Sequence, residues 1–143
     1  MTLPKHLVAV ETAVFDLSNP EPEVLLIQRG HDPYKGYWAI PGGMLEEEET
    51  LEEGAVRELF EETNALIMPG ELRLATACNR RDRVEQVVIV AFSAVTNKSG
   101  QRIMAGDDAV DVAWVPVSEL PRLAANHSEI ILKSLGEIYH DTQ

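Results

Sequence analysis

Residues 43–65 read GMLEEEETLEEGAVRELFEETNA, and this acidic stretch constrains the fold more than any other part of the chain. Nine of the 24 acidic residues fall within the seventeen positions 46–62, where Arg57 is the only basic residue. On a helix, Glu58, Glu61 and Glu62 share one face, because positions i, i+3 and i+4 are neighbours. Two carboxylates ~6 Å apart repel by roughly 0.7 kcal/mol in water, so three on one face call for a cation. Hard oxygen ligands of this kind suit Mg²⁺, Mn²⁺ or Ca²⁺.

The same stretch carries start and stop signals for a helix. Thr50 is a favourable N-cap, and Glu53 three residues later completes a capping box. Asn64 stands where a helix ends on a left-handed residue, for which asparagine is second to glycine. The apolar stripe that would pack on a sheet consists of Leu51, Ala55, Val56, Leu59 and Phe60. We therefore predict a helix over about residues 51–63, with its acidic face turned largely away from the core.

The rest of the chain alternates β-like segments with turns. Apolar runs predict strands over residues 6–17, 23–29, 72–78, 84–96 and 109–115. Turn residues at 18–22 predict a hairpin between the first two, and residues 31–43 are predicted to form a loop. Two short helices are predicted to close the chain, one near Ser118 and one capped by Asn126. This order of elements predicts an α/β fold.

Composition limits the class of protein. The 143 residues, 45% of them apolar, are expected to form a single domain with its own core. No run of eighteen apolar residues and no signal peptide are present, so we expect neither a membrane span nor export. A lone cysteine, Cys78, excludes an intramolecular disulfide and fits the cytoplasm. The net charge of −12 argues against nucleic acid and anionic membranes as partners.

The spacing of the acidic stretch resembles the signature of the Nudix hydrolases. That signature is Gly-x5-Glu-x7-Arg-Glu-(apolar)-x-Glu-Glu-x-Gly-(apolar). It is matched here by Gly43, Glu49, Arg57, Glu58, Leu59, Glu61 and Glu62. Asn64 departs from it, standing where the family has glycine, and residues 38–43 (WAIPGG) look like the usual lead-in. The resemblance implies the Nudix fold, a mixed β-sheet sandwiched between α-helices, over residues 1–143.

The resemblance also implies a reaction and a metal site. Nudix enzymes hydrolyse a nucleoside diphosphate linked to another moiety, so the site must neutralise phosphate charge and generate hydroxide. We therefore expect activity that rises toward alkaline pH. The residues expected to hold Mg²⁺ or Mn²⁺ are Glu58, Glu61, Glu62 and the backbone carbonyl of Gly42. Arg57 is expected to orient Glu49 or a ligand carboxylate through charge-assisted hydrogen bonds.

Other roles are less closely defined by the pattern. The candidates for the base that takes the proton from water are Asp107 and Asp108, or else Glu61 or Glu62. The loop that carries the two aspartates is equally well explained as an ordinary turn. The expected phosphate contacts are Arg29, Arg80 and Arg81, each of which could be a plain surface charge. Trp38 or Tyr34 is expected to stack on a base, with packing in the core as the alternative.

A second resemblance bears on the substrate. Residues 31–38 (HDPYKGYW) and 105–109 (AGDDA) look like the compact bacterial ADP-ribose pyrophosphatases, which produce AMP and ribose 5-phosphate. The arginine-rich segment 79–83 lacks a proline that this group would have. Two alternatives stay open: a MutT-like hydrolase of nucleoside triphosphates, and a Nudix-fold sensor that binds a nucleotide without cleaving it. The intact set of Glu58, Glu61 and Glu62 argues against the sensor. Many relatives are homodimers, but no interface is evident.

Overall fold

The computed structural model describes residues 2–3, 5–80 and 86–141. Within them the chain forms seven β-strands and two α-helices, together with three single 3₁₀ turns. In chain order the elements are β1 (Leu7–Asp16), β2 (Glu23–Arg29), β3 (Trp38–Ala39), β4 (Gly42–Met44), α1 (Leu51–Thr63), β5 (Arg73–Arg80), β6 (Val87–Val95), β7 (Ala109–Pro116) and α2 (His127–Asp141). In the described part of the chain, neither helix has the length and apolar character needed to cross a membrane.

The strands form one mixed sheet built around β1. The order of the main path is β3-β2-β1-β6-β5, with β4 paired to β1 and β7 paired to β2. β1 and β6 run parallel over nine residue pairs, whereas the other pairings are antiparallel. The C-terminal end of β1 pairs with β2, while the segment from Ala9 to Glu11 pairs with β4. The predicted hairpin between the first two strands is confirmed.

A helix covers each face of this sheet. Because side chains alternate along a strand, Val10 and Val14 of β1 point to one face and Ala13 and Phe15 to the other. The first face packs against α1, where Ala55 and Leu59 are buried. The second packs against α2, whose buried residues are His127, Ile130, Ile131, Ser134 and Ile138. The predicted arrangement of a mixed sheet between helices is therefore confirmed.

Helix α1 begins and ends where the sequence predicts. The Thr50 hydroxyl accepts the N–H of Glu53 at 3.1 Å, and the Glu53 carboxylate accepts the N–H of Thr50 at 2.8 Å. Asn64 adopts the left-handed conformation (φ 64°, ψ 7°), and its N–H donates to the carbonyl of Phe60 at 2.8 Å. Asparagine thus takes the place of the signature glycine with the helix ending intact.

Three predictions about secondary structure are wrong. Residues 31–43 are not entirely loop, since they include β3 and the first two residues of β4, which local periodicity cannot reveal in strands this short. The helix expected near Ser118 is a single 3₁₀ turn, Val117–Glu119. The last helix is not short either, because α2 spans 15 residues from His127, directly after Asn126.

Asp16 joins the end of β1 to the turn that follows β6. Its carboxylate is buried and accepts the Ser18 N–H at 2.7 Å, the Ser18 hydroxyl, and the Lys98 N–H at 2.9 Å. Burial acts to raise the pKa of Asp16, but the hydrogen bonds from Ser18 and Lys98, with the Lys98 charge, outweigh it and lower the pKa. The ionised carboxylate therefore stabilises the fold.

We expect Asp16→Asn to lower the free energy of unfolding by about 1–3 kcal/mol at pH 7, because the amide cannot satisfy all of these donors. Urea unfolding measures this loss.

The pKa of Asp16 in the folded protein lies below the unfolded value of about 3.9. Its stabilisation is therefore complete above that value and is lost as the pH falls through the folded pKa. Glu119→Gln, an exposed change of the same charge, is the control and should cost less than about 0.5 kcal/mol. Equal losses in the two variants would contradict the assignment.

Candidate active site

The guanidinium of Arg57 lies at the centre of the acidic segment. Its Nε and Nη2 atoms donate to the two carboxylate oxygens of Glu49 at 2.6 and 2.9 Å. Its Nη1 donates to Glu58 at 3.0 Å and to Glu61 at 3.2 Å, and Nη2 also donates to the carbonyl of Met44 at 3.0 Å. The expected contact between Arg57 and Glu49 is present, whereas the catalytic roles of both residues stay predictions.

These contacts shift the proton affinities of the groups involved. The hydrogen bond from Arg57, followed by the one from the Glu46 N–H, lowers the pKa of Glu49. In return Glu49 is the main cause of the raised pKa of Arg57. The pKa of Glu58 is raised, because burial of its carboxylate outweighs the hydrogen bond and the charge of Arg57. Glu49 is thus stably ionised beside Arg57. Glu58 holds its proton more tightly, because its carboxylate is buried.

Glu62 lies on the side of α1 that faces β4. Its Oε1 accepts the N–H of Gly42 at 2.7 Å. Burial raises the pKa of Glu62 to about 8 against the effect of the Gly42 hydrogen bond; the charges of Glu58 and Asp108 add to the rise, and Arg29 opposes it. A buried carboxylate with this proton affinity would gain stability from a cation held beside it.

Gly43 allows β4 to approach Glu58 closely. A Cβ atom added at Gly43 would lie 2.5 Å from the carboxyl carbon of Glu58, a separation that real Cβ atoms do not show. The carboxylate of Glu58 therefore rests against the backbone of β4, where any larger residue would displace it. This contact explains why the segment needs glycine at position 43.

The loop before β7 covers the C-terminal end of α1. The N–H of Met104 donates to the carbonyl of Thr63 at 2.8 Å, and the N–H of Gly106 donates to the carbonyl of Glu62 at 2.9 Å. A Cβ at Gly106 would lie 2.1 Å from the carbonyl oxygen of Glu61, so only glycine fits. Helix carbonyls that lack an intrahelical partner are satisfied in this way. The contacts bring the loop directly to the acidic face.

This loop carries both aspartates considered as the base. Asp108 lines the cavity described below, and its charge contributes to the raised pKa of Glu62. Both aspartates are exposed, but Asp107 is not among the described residues that line the cavity. The structure therefore distinguishes the two positions, which the sequence could not.

A cavity of about 700 Å³ opens beside the acidic face. Glu58 and Glu62 line it, together with Arg29 from the end of β2. The Nε of Arg29 donates to the carbonyl of Pro33 at 2.7 Å, which holds the guanidinium at the cavity wall. Arg80 and Tyr34 line the same cavity. Its walls thus combine carboxylates, cationic groups and an aromatic ring, as a site for a phosphorylated ligand requires.

Trp38 and Glu61 are described residues that do not line the cavity. Trp38 packs against the apolar cluster beneath α2, as the packing alternative expects, and is not among the described residues that line the cavity, whereas Tyr34 is. The stacking role stays a prediction. The side chain of Glu61 is 56% exposed and lies outside the cavity, where it contacts Arg57. Arg81 lies outside the described residues.

The predicted metal ligands are adjacent but are not arranged around one point. Among residues 2–3, 5–80 and 86–141, no three Glu, Asp, His or Cys side chains form a ready-made metal site. Instead Glu58 and Glu61 accept from Arg57, Glu62 accepts from the N–H of Gly42, and the expected carbonyl contact of Gly42 stays a prediction. The set nevertheless fits a divalent cation, because it supplies hard oxygen donors and an excess of negative charge.

Two further cavity residues were missed by the sequence analysis. Glu11 of β1 and His127 at the start of α2 both line the cavity and contact each other. Glu11 could have been found from the sequence. Strand alternation places it on the same face as Ala13 and Phe15, which point into the core, and a carboxylate is unusual there. The contact of His127 with β1 could not have been predicted, because more than a hundred residues separate the two in sequence.

Comparison with known proteins agrees with this geometry. The chain is 34% identical over 119 residues to an ADP-ribose pyrophosphatase of Methanocaldococcus jannaschii, covering 83% of this chain and 69% of that protein. It is 29% identical over 146 residues to the ADPR responsive transcriptional repressor NtrR of Acinetobacter baylyi, covering 98% of this chain but only 57% of the repressor.

A solved structure is similar over almost its full length. The NUDIX domain of Shewanella oneidensis NrtR, crystallised with ADP ribose, superposes with a TM-score of 0.82 at 25% identity. The match covers 95% of this chain and 90% of that domain. The sequence profile of the NUDIX domain matches residues 7–134. By this match, and by the signature now placed on α1, the chain belongs to the NUDIX domain family of hydrolases.

Proposed function

We propose that this protein hydrolyses a nucleoside diphosphate linked to a sugar, with ADP-ribose as substrate and AMP and ribose 5-phosphate as products. The observation that carries the proposal is the placement of Glu58 and Glu62 on one wall of a cavity that also presents Arg29. The pyrophosphatase relative and the ADP ribose bound to the similar domain support this choice of substrate.

The proposed cofactor is Mg²⁺ or Mn²⁺. Glu58 and Glu62 would hold it, joined by Glu61 and the carbonyl of Gly42. When bound, such an ion neutralises phosphate oxygens and lowers the pKa of a coordinated water. Arg57 keeps the carboxylates in reach by holding Glu58 and Glu61 against their mutual repulsion.

The remaining residues would place the substrate. Arg29, held by the carbonyl of Pro33, is positioned to contact phosphate oxygens, and Arg80 lies on the same cavity. Tyr34 offers a ring face to a base or sugar, and its own ring is held by an edge-on contact with Tyr37 at 5.5 Å. We further propose that residues 1–143 act as one catalytic unit in the cytoplasm on a small molecule, without a nucleic acid partner.

The reaction needs a base as well as charge neutralisation. A water oxygen forms a new bond to phosphorus, the bridging P–O bond breaks, and the proton leaves the water while the second phosphate departs as an oxyanion. We propose Asp108 as the acceptor of that proton, because it lines the cavity and is close enough to Glu62 to affect its pKa.

A substrate screen tests the proposal. With Mg²⁺ present, we expect ADP-ribose to give AMP and ribose 5-phosphate, identified by chromatography and ³¹P NMR. Glu62→Gln should lower kcat by about 10²-fold or more, since metal stabilisation of the transition state is worth several kcal/mol. Glu47→Gln, an exposed change in the same acidic run, should leave turnover within about twofold.

The other outcomes of this screen are informative. Pyrophosphate released from a nucleoside triphosphate, with ADP-ribose untouched, would assign the protein to the MutT-like alternative. Tight binding of ADP-ribose without turnover of any substrate would assign it to the sensors. Wild-type turnover by Glu62→Gln would contradict the metal assignment.

The two aspartates provide a matched pair for the base. Asp108→Asn should lower kcat by about 10²–10⁴-fold with little change in KM, the range typical of a lost general base. Asp107→Asn makes the same chemical change at the neighbouring position outside the cavity and should cost far less. Steady-state kinetics of both variants at several pH values decides the matter, and comparable losses would rule out Asp108 as the specific proton acceptor.

A further inference from the structure

The cavity contains a buried carboxylate that the proposed reaction does not use. Glu11 is 8% exposed and lies on β1, on the face that packs against α2. Its Oε2 contacts the Nε2 of His127 at 3.0 Å. Its Oε1 is buried and has no hydrogen-bond partner among the described residues. Glu11 also lines the cavity, so the unpaired oxygen belongs to a site that a ligand can enter.

Hydrogen bonding defines which ring nitrogen of His127 carries the proton. The N–H of Ile40 donates to the Nδ1 of His127 at 3.0 Å, so Nδ1 carries no proton. A neutral ring therefore carries its proton on Nε2, which lies 3.0 Å from Oε2 of Glu11. His127 is itself 9% exposed at the start of α2. One oxygen of Glu11 thus lies beside the N–H of His127, whereas the other has no partner among the described residues.

An unpaired buried carboxylate oxygen is costly unless a donor reaches it. A purely structural Glu11–His127 pair accounts for Oε2 but leaves Oε1 unexplained. Phosphate oxygens are excluded as partners because they are acceptors and carry the same charge. The described residues supply no such donor. A ligand in the cavity can supply it through an N–H or O–H group outside its pyrophosphate.

The position of Glu11 relative to the acidic face is also defined. In the sheet, Glu11 of β1 lies directly opposite Gly42 of β4, whose N–H binds Glu62. Residues opposite each other on neighbouring strands have Cα atoms about 4.5–5.5 Å apart. Glu11 and Glu62 line the same cavity, so the donor bound by Glu11 belongs to the part of the ligand next to its pyrophosphate or to the base.

We propose, on the basis of the proposed function, that Glu11 is a specificity-determining residue whose Oε1 accepts a hydrogen bond from a donor group of the nucleotide sugar. His127 is a positioning residue, since it acts by orienting this carboxylate. The donor is a sugar hydroxyl or the exocyclic amine of the base, and both are absent from inorganic pyrophosphate. The site thus selects a nucleoside derivative over a bare phosphoanhydride.

Glu11→Gln tests this inference with little change of shape. Because His127 donates a proton, the amide oxygen of the glutamine takes the place of Oε2 and its NH₂ faces the cavity. The position then offers a donor where the wild type offers an acceptor. We expect KM for ADP-ribose to rise by about tenfold to a hundredfold with a much smaller change in kcat. Glu129→Gln, an exposed change two residues from His127 on α2, is the control and should match the wild type.

A second substrate identifies the donor. The inosine analogue of ADP-ribose has a carbonyl oxygen in place of the adenine amine. If Glu11 binds a sugar hydroxyl, Glu11→Gln raises KM equally for both substrates. If it binds the amine, the wild type prefers ADP-ribose and Glu11→Gln reverses that preference. Unchanged KM values for both substrates would overturn the inference.

Binding measurements separate this inference from the proposed function. Calorimetry without added divalent cation should show weaker ADP-ribose binding to Glu11→Gln than to the wild type, even if the wild type hydrolyses nothing. Turnover of ADP-ribose with equal affinity in both proteins would overturn only the role of Glu11. A wild type that neither binds nor hydrolyses ADP-ribose when Mg²⁺ is present would overturn both proposals. Thermal unfolding checks that the variant is folded. If it is not folded, His127→Gln replaces it as the test, because this variant keeps the Glu11 carboxylate but loses the ring that orients it. His127→Gln should raise KM several-fold with kcat retained. An unchanged KM would overturn the inference.

Discussion

Arg57 supplies the positive charge on which the acidic segment depends. Its guanidinium donates to Glu49, Glu58 and Glu61 and to the backbone of β4, so it joins the loop before α1, the helix and the sheet. Without it, the carboxylates on this face would repel one another with no compensating group on the helix. Arg57 thus allows several carboxylates to lie next to a cavity on one stable helix. It also leaves Glu62, which Arg57 does not reach, as the group with the greatest need for an added cation.

The surrounding structure brings backbone close to this face from two sides. β4 contacts the face through Gly43, which leaves room for the Glu58 carboxylate, and through the N–H of Gly42. The loop before β7 contacts the end of α1 through Gly106 and carries Asp108 to the cavity. The site is therefore formed by close approach of backbone to a helix, which any larger side chain at these glycines would prevent. Rigid supports of this kind maintain the geometry that catalysis requires.

Local signals in the sequence predicted a large part of this structure. The capping residue Thr50, the apolar stripe and Asn64 predicted the bounds of α1, because each acts within one helical turn. The signature predicted which residues surround Arg57. Short strands such as β3 and β4 could not be predicted, because their pairing depends on distant partners. The packing of Trp38 against the core and the placement of Glu11 in the cavity likewise depend on contacts between elements far apart in sequence.

A double-mutant cycle between Glu49 and Arg57, read as kcat/KM for ADP-ribose, measures whether Arg57 organises the acidic face as one unit. Glu49 is not among the described residues that line the cavity, and it donates no group to the reaction in our proposal, where it acts through its hydrogen bonds with Arg57. Our account predicts that Glu49→Gln lowers kcat/KM in the wild-type background but changes it by less than about threefold once Arg57→Gln is present. Losses that multiply across the two substitutions would contradict the claim that Arg57 organises the site as one unit.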